Sequence, residues 1–209
     1  MRKNILVTGK RGFIGSRIKG GKAFLGSLEL FTDVLNASKT SIGIVHLAGR
    51  SNKRICSSDP FECVQSNIIG LMNILKAARL RSQWVLFVST DQIKENHLYG
   101  LSKLMGEELC RLYNKAGLPI YILRLPIVYG KGESQDKVVS RTINRIKRGL
   151  KVESETNDKF HFAYVDDVVK MIESEVTVIT GNKKIKPYSF RDLKDGIKEM
   201  LQTKESKHD

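Results

Sequence analysis

Thr90, Tyr99 and Lys103 are the residues of this 209-residue chain best suited to moving a proton. "YGLSK" sets a phenol and an ammonium four residues apart where a helical stretch begins, so the two share a face. A phenol titrates near pH ~10 and is a poor base at neutral pH unless a cation stabilises the phenolate, a charge Lys103 can supply. Thr90 ends the apolar run "WVLFVST", where its hydroxyl can hold a reacting oxygen. Alone, a Tyr and a Lys at this spacing read more readily as a packed ring beside a solvated charge. The sequence upstream reverses that weighting.

In "ILVTGKRGFIGS", Gly9, Gly12 and Gly15 follow a run of aliphatic residues and open a helix-like stretch. A phosphate can approach the unpaired amides of a helix N-terminus only where no side chain intervenes. In a strand-turn-helix setting, Gly9 would permit the turn, Gly12 the approach of a diphosphate and Gly15 the packing of helix on sheet. The spacing does not match the loop of nucleoside triphosphatases, which needs four residues before a Gly-Lys pair and then Ser or Thr. A dinucleotide site is the better reading.

These residues need elements to carry them. "NILVT", "IGIVHLAG", "WVLFVST" and "LPIYILRL" read as buried strands, with further strands near "FHFAYV" and at "VTVIT". Helices are predicted at "FIGSRI", "SNIIGLMNILKAARL", "YGLSKLMGEELCRLYNKAG", "QDKVVSRTINRIKRGL" and "DDVVKMIE", and again after Ser189. Strands without polar alternation, separated by helices, imply a doubly wound α/β fold with a parallel sheet, here compressed into one domain over 1–209.

Hydrophobic residues make up 41% of the chain, and no apolar run reaches the length of a membrane span. The basic N-terminus lacks the apolar stretch and cleavage site of a secretory signal, so a cytoplasmic protein is expected. A net charge of +14 favours anionic partners, with nucleic acid an unlikely one because much of the excess reads as solvated helix faces. Cys56, Cys63 and Cys110 read as buried or idle thiols, and His46, His97, His161 and His208 show no metal-ligand grouping.

From about Lys3 to Gln202 the ordered motifs resemble the extended short-chain dehydrogenase/reductase superfamily, the NAD-dependent epimerase/dehydratase type. They are T-G-x-x-G-F-I-G, "IVHLAG", "SNIIGLMNIL", "FVSTD", "YGLSK", "LRLPIVYGKG" and "FAYVDDVV". The short interval between "VSTDQ" and "YG" is most similar to reductase domains of capsular-polysaccharide enzymes that reduce a UDP-4-keto sugar. The resemblance implies a Rossmann-like fold, NADP or NAD as cofactor, a nucleotide-sugar substrate and a homodimer built on two helices. It assigns cofactor contacts to Gly9, Arg11, Gly12, Phe13, Ile14 and Gly15, to Leu47, Ala48 and Gly49, and to Asn67, Tyr99, Lys103 and Leu125. Tyr99 becomes the general acid/base, Lys103 the holder of the nicotinamide ribose, Thr90 the partner of the reacting oxygen, and Asp91 a catalytic acid or only a loop cap. Arg50, Ser89, Thr90 and Arg145 would meet substrate, and about 125–209 would form a reduced substrate-binding portion.

Departures from the pattern restrict this reading. Gln92 stands where related dehydratases carry a Glu base, which argues against 4,6-dehydration. Only 30 residues lie between Gly15 and His46, so part of the nucleotide-binding half is compressed or missing. Glu29 and Asp33 are weak candidates for the acidic residue on the adenosine ribose, whereas Lys10, Arg11 and Arg17 could meet a 2′-phosphate. Ile127 replaces an Asn, and Phe160 an Arg, that grip the nucleotide-sugar; Arg145, Arg148 or Lys159 could compensate. The expected function is a sugar-nucleotide 4-ketoreductase or epimerase of surface-polysaccharide synthesis. The alternative is a silent relative serving as dinucleotide sensor or scaffold.

Overall fold

A computed structural model describes residues 1, 4–151 and 161–181. Five strands form one parallel sheet in the order β2-β1-β3-β4-β5: β1 (Ile5–Thr8), β2 (Lys22–Ala23), β3 (Gly43–His46), β4 (Trp84–Thr90) and β5 (Ile120–Leu125). Alternate residues feed two cores. Leu6, Ile44, Val85, Phe87 and Ile120 pack under α1 (Phe31–Ala37), α4 (Gly70–Leu80) and α5 (Leu98–Lys115). Ile5, Val7, Val45, Leu86 and Leu123 pack under Ile18 and a long helix near the end of the described chain. Apolar residues on both pleats are what a sheet covered on both faces requires.

Between β3 and α4 lie two short helices, α2 (Lys53–Ser58) and α3 (Pro60–Val64), and a π-turn over Gln65–Ile69. Asn52 caps α2 by accepting from the Arg54 amide at 2.8 Å, and Asp59 caps α3, accepting from the Glu62 amide at 3.0 Å with Pro60 in its first turn. After β5 the chain forms β6 (Ile127–Tyr129) and α6 (Val138–Lys147), then β7 (Phe162–Tyr164), which pairs in parallel with β6 as a separate two-stranded sheet.

Three expectations are corrected. "FIGSRI" is not a helix but a single 3-10 turn over Gly15–Arg17, after which the chain runs directly towards β2. "VTVIT" is not a strand: it is the last part of α7 (Val165–Gly181), one unbroken helix. Val168, Val169, Ile172 and Val176 recur at helical spacing and are buried under the sheet. Burying each stabilises by roughly 1.5–3 kcal/mol, more than the ~0.7 kcal/mol at most that a β-branched residue costs a helix. The cysteines are not idle thiols, because Cys56 and Cys63 form a disulfide and only Cys110 is free and buried. The helix expected after Ser189 lies outside the described residues.

Candidate active site

In a parallel sheet of this order the strand order reverses between β1 and β3, and ligands bind at the carboxyl ends of strands flanking such a point. Gly9 leaves β1 there with φ +68°, and a Cβ on it would lie 2.8 Å from the Ala48 amide nitrogen. Thr8 and His46 end their strands in register. The Thr8 hydroxyl accepts from the Ala48 amide at 3.2 Å and meets His46 Nδ1 at 2.8 Å, tying the two loops together. Burial keeps His46 neutral, its pKa pushed down to about 3, with Lys103 adding to the effect.

The glycine loop folds on itself. Gly12 N donates to the Gly9 carbonyl at 2.9 Å and Ser16 N to that of Gly12 at 2.9 Å. A Cβ on Gly15 would lie 2.2 Å from the Gly9 oxygen, so this glycine lets the 3-10 turn close against the first turn rather than a helix against the sheet. Among the described residues the amides of Phe13 and Ile14 take no protein acceptor. A cavity of about 240 Å³ opens beside the loop, lined by Gly9, Lys10, Arg11 and Gly12, by Phe24 and Gly26 after β2, and by Ala48. A loop that Gly9 and Gly15 allow to fold tightly, two open amides and a cleft at the switch point fit the diphosphate and adenosine of a dinucleotide.

At the carboxyl end of β4, Thr90 caps a 3-10 turn (Asp91–Lys94), accepting from the Gln92 amide at 3.3 Å. The Tyr99 phenol lies close enough to the Thr90 side chain for Thr90 to favour its phenolate, and Asp91 lies close enough to disfavour it. The Tyr99 ring is buried, stacked on His97 at 5.9 Å, and packed with the Cys56–Cys63 disulfide and Leu98. His97 caps α5, its Nδ1 accepting from the Gly100 amide at 2.8 Å. Burial is the main cause that pushes the Tyr99 pKa up to about 12, Asp91 adds to it, and Thr90 opposes it.

Lys103 lies one helical turn beyond Tyr99 and is also buried, but its ammonium does not stabilise a phenolate. It donates to the Val88 carbonyl at 2.9 Å and rests over the Phe87 ring at 4.8 Å. Burial pushes its pKa down to about 8, against the opposing Cys110 and Glu107. Tyr99 therefore keeps its proton at neutral pH.

Several predicted contacts fall elsewhere. Asn67 does not reach the cleft. Its Oδ1 accepts from the Arg50 amide at 2.7 Å, and its Nδ2 donates to the Arg50 carbonyl at 3.0 Å and to Ser102 Oγ at 2.9 Å, so it holds the loop after β3 in place. Ser89 points away from Thr90, as successive strand residues must, and donates to buried Glu107 at 2.7 Å. Arg50 lies exposed, paired with Glu62 at 3.1 Å. Arg145, also exposed, donates to the Lys151 carbonyl at 2.8 Å, and no described contact joins it to Thr90 or Tyr99. Lys10 and Arg17 are engaged by the protein, whereas Arg11 is exposed at the cavity. Asp33 accepts from the Ser27 amide at 2.9 Å, and Glu29 is hydrogen-bonded by the Ser27 hydroxyl. Leu125 is a buried strand end opposite Thr90, and Leu47 and Ile14 pack against the second core. Phe13 lies under the Arg17 guanidinium at 4.9 Å, and Gly49 sits against Asn67. Phe160 and Lys159 fall outside the described residues. Among the described residues no group of three or more His, Cys, Asp or Glu is gathered for a metal.

The sequence reading missed the supporting residues. Glu107 accepts from Arg124 Nε and Nη2, both at 2.7 Å, and from Arg111 at 3.0 Å, fixing α5 to β5. Its position four residues after Lys103, inside an otherwise apolar helix face, was the available signal.

The chain belongs to the NAD dependent epimerase/dehydratase family, whose model matches residues 28–177. That match starts beyond the glycine loop. The chain is 26% identical over 178 residues to a UDP-2-acetamido-2,6-beta-L-arabino-hexul-4-ose reductase of Pseudomonas aeruginosa, covering 79% of this chain and 47% of the reductase. It is 30% identical over 223 residues to an uncharacterized UDP-glucose epimerase, YtcB, of Bacillus subtilis, covering 80% of this chain and 71% of YtcB. MoeE5 in complex with UDP-glucose and NAD shares the fold with a TM-score of 0.70 at 23% identity, over 81% of this chain and 70% of MoeE5. The chain thus spans about half the length of the reductase.

Proposed function

We propose that this chain is an NAD(P)-dependent sugar-nucleotide oxidoreductase, a 4-ketoreductase or epimerase, working in the cytoplasm in surface-polysaccharide synthesis. The observation that carries the reading is the pairing of two buried hydroxyl side chains, Tyr99 and Thr90, on the sheet edge that also bears the glycine loop. The relatives described above, a UDP-sugar reductase and an uncharacterized UDP-glucose epimerase, support the substrate class. A bound nicotinamide dinucleotide would supply or accept hydride. Gly9, Gly12 and the Phe13 and Ile14 amides would hold its diphosphate, and Lys103 would reach its ribose by leaving the Val88 carbonyl.

Tyr99 acts on the sugar oxygen. With a pKa near 12 it carries its proton at neutral pH, the form a general acid needs when a ketone oxygen gains charge. Thr90 positions the same oxygen by hydrogen bonding. The protonated phenol suits the reductive direction, and an epimerase would use the same residue in both directions. Consumption of NADPH or NADH with a set of UDP- and dTDP-4-keto sugars tests this. Turnover is expected in the wild type, and Tyr99→Phe should lower kcat by at least ~100-fold while leaving dinucleotide affinity intact.

The missing helix after the glycine loop favours a second reading, a catalytically silent dinucleotide sensor or scaffold. Dinucleotide binding without turnover on any sugar tested would establish that reading in place of the enzyme. In either case we propose a homodimer formed by α4 and α5, which leave Met72, Leu101, Met105 and Leu112 exposed.

A further inference from the structure

In dinucleotide folds the helix behind the glycines performs two tasks: it holds the loop in shape and sets partial positive charge against the diphosphate. Here that element is one 3-10 turn, Gly15–Arg17, too short to sum peptide dipoles. Two side chains of the loop lie where those tasks must be done. Lys10 reaches across the loop from inside it, and its Nζ donates to the Ile18 carbonyl at 2.8 Å and to the Gly20 carbonyl at 2.7 Å. It closes the segment from Gly9 to β2 as the turns of a helix would. Arg17 is committed to the protein as well, donating to the Phe13 carbonyl at 2.6 Å and to that of Lys131, and pairing with Asp166 at 3.4 Å. Arg11 differs from both. It lines the cavity with Gly9 and Gly12, is exposed, and has no protein partner among the described residues.

We propose that Lys10 and Arg11 divide the work of the missing helix: Lys10 is a positioning residue that keeps the glycine loop in its binding shape, and Arg11 supplies the positive charge for the dinucleotide's diphosphate. The inference rests on the dinucleotide reading above. Its physical consequence concerns salt. Charge carried by an exposed side chain is screened by salt within about a Debye length, ~10 Å at 0.1 M, so dinucleotide affinity in this chain depends steeply on ionic strength. A charge-assisted bond to phosphate is also directional, so lysine at position 11 replaces arginine poorly.

Calorimetric titration of the full chain with NADPH and with NADH, at low and high salt, tests both assignments. Wild-type affinity is expected to fall about tenfold between ~50 mM and ~500 mM salt. Arg11→Gln should weaken both dinucleotides about tenfold at low salt and remove most of the salt dependence, with an unchanged melting temperature. Lys10→Met should weaken both by a similar factor while the salt dependence stays. Lys10→Arg, which can still reach a carbonyl, should restore much of the affinity, and so separates loop positioning from a general loss of fold. If Arg11→Gln weakens NADPH alone, the residue reads the 2′-phosphate and its assignment to the diphosphate is overturned. Binding by Lys10→Met equal to wild type overturns the positioning role. A wild-type chain that binds neither dinucleotide removes the dinucleotide reading itself, an outcome distinct from both.

Discussion

Tyr99 and Lys103 are shifted in opposite directions by one cause, burial, and the result is a site in which the phenol stays protonated and the amine is held near its titration point. Because the neutral amine is favoured as pH rises through about 8, Lys103 loses its charge there, well before a free lysine would. Dinucleotide affinity should therefore weaken above about pH 8 in the wild type and become insensitive to pH in Lys103→Met, as measured by fluorescence titration across pH. The Tyr99–Lys103 pair was legible because spacing alone puts the two on one turn. Where the ammonium points was not, because that depends on the Val88 carbonyl and the Phe87 ring, which a distant strand brings to it. Asn67 and Ser89 show the same limit. Their types suit ligand binding, and only the register of strand and π-turn reveals that the protein consumes their hydrogen bonds.

At the scale of elements, the strands and the helices α4 and α5 could be read directly from their apolar stripes, and β4 runs over the very residues expected of it, whereas the β-branched end of α7 was read as a strand. Short elements escaped. "SSDPFE" carried the marks of α3, a capping Asp followed by Pro, yet five residues give too little periodicity to weigh. β2 has two residues and exists because β1 offers it an edge, a cause that lies outside its own sequence. The clamp between α5 and β5 is the element-scale feature with the clearest energetic consequence. Glu107 is fully buried and accepts a forked pair of bonds from Arg124 and one each from Arg111 and Ser89, so removing the carboxylate takes away the acceptor that these three share. Glu107→Ala should cost about 3–5 kcal/mol in urea unfolding, whereas a surface pair such as Arg50 and Glu62 should cost under ~1 kcal/mol when broken.

At the scale of the whole molecule, the described residues form an α/β sheet with one face under three helices and the other under α7, Ile18 and residues of β6 and β7. No helix among the described residues is long and apolar enough to cross a membrane. The apolar residues left on α4 and α5 lie on the two helices proposed to pair, and light scattering at micromolar concentration should give twice the chain mass of 23.6 kDa. Met105→Glu together with Leu112→Glu should return it to a single chain mass, because two charges per chain would otherwise be buried in the contact.

His46 gives the molecule a particular way of failing in acid. The imidazole that stitches Thr8 to the second strand end resists protonation down to about 3, while the unfolded chain accepts that proton from 6.5 downwards. Stability drains steadily through mildly sour conditions, yet nothing at the seam itself gives way. The cleft should keep its native shape until the entire sheet comes apart at once, with no loosened, half-open form to mark the approach.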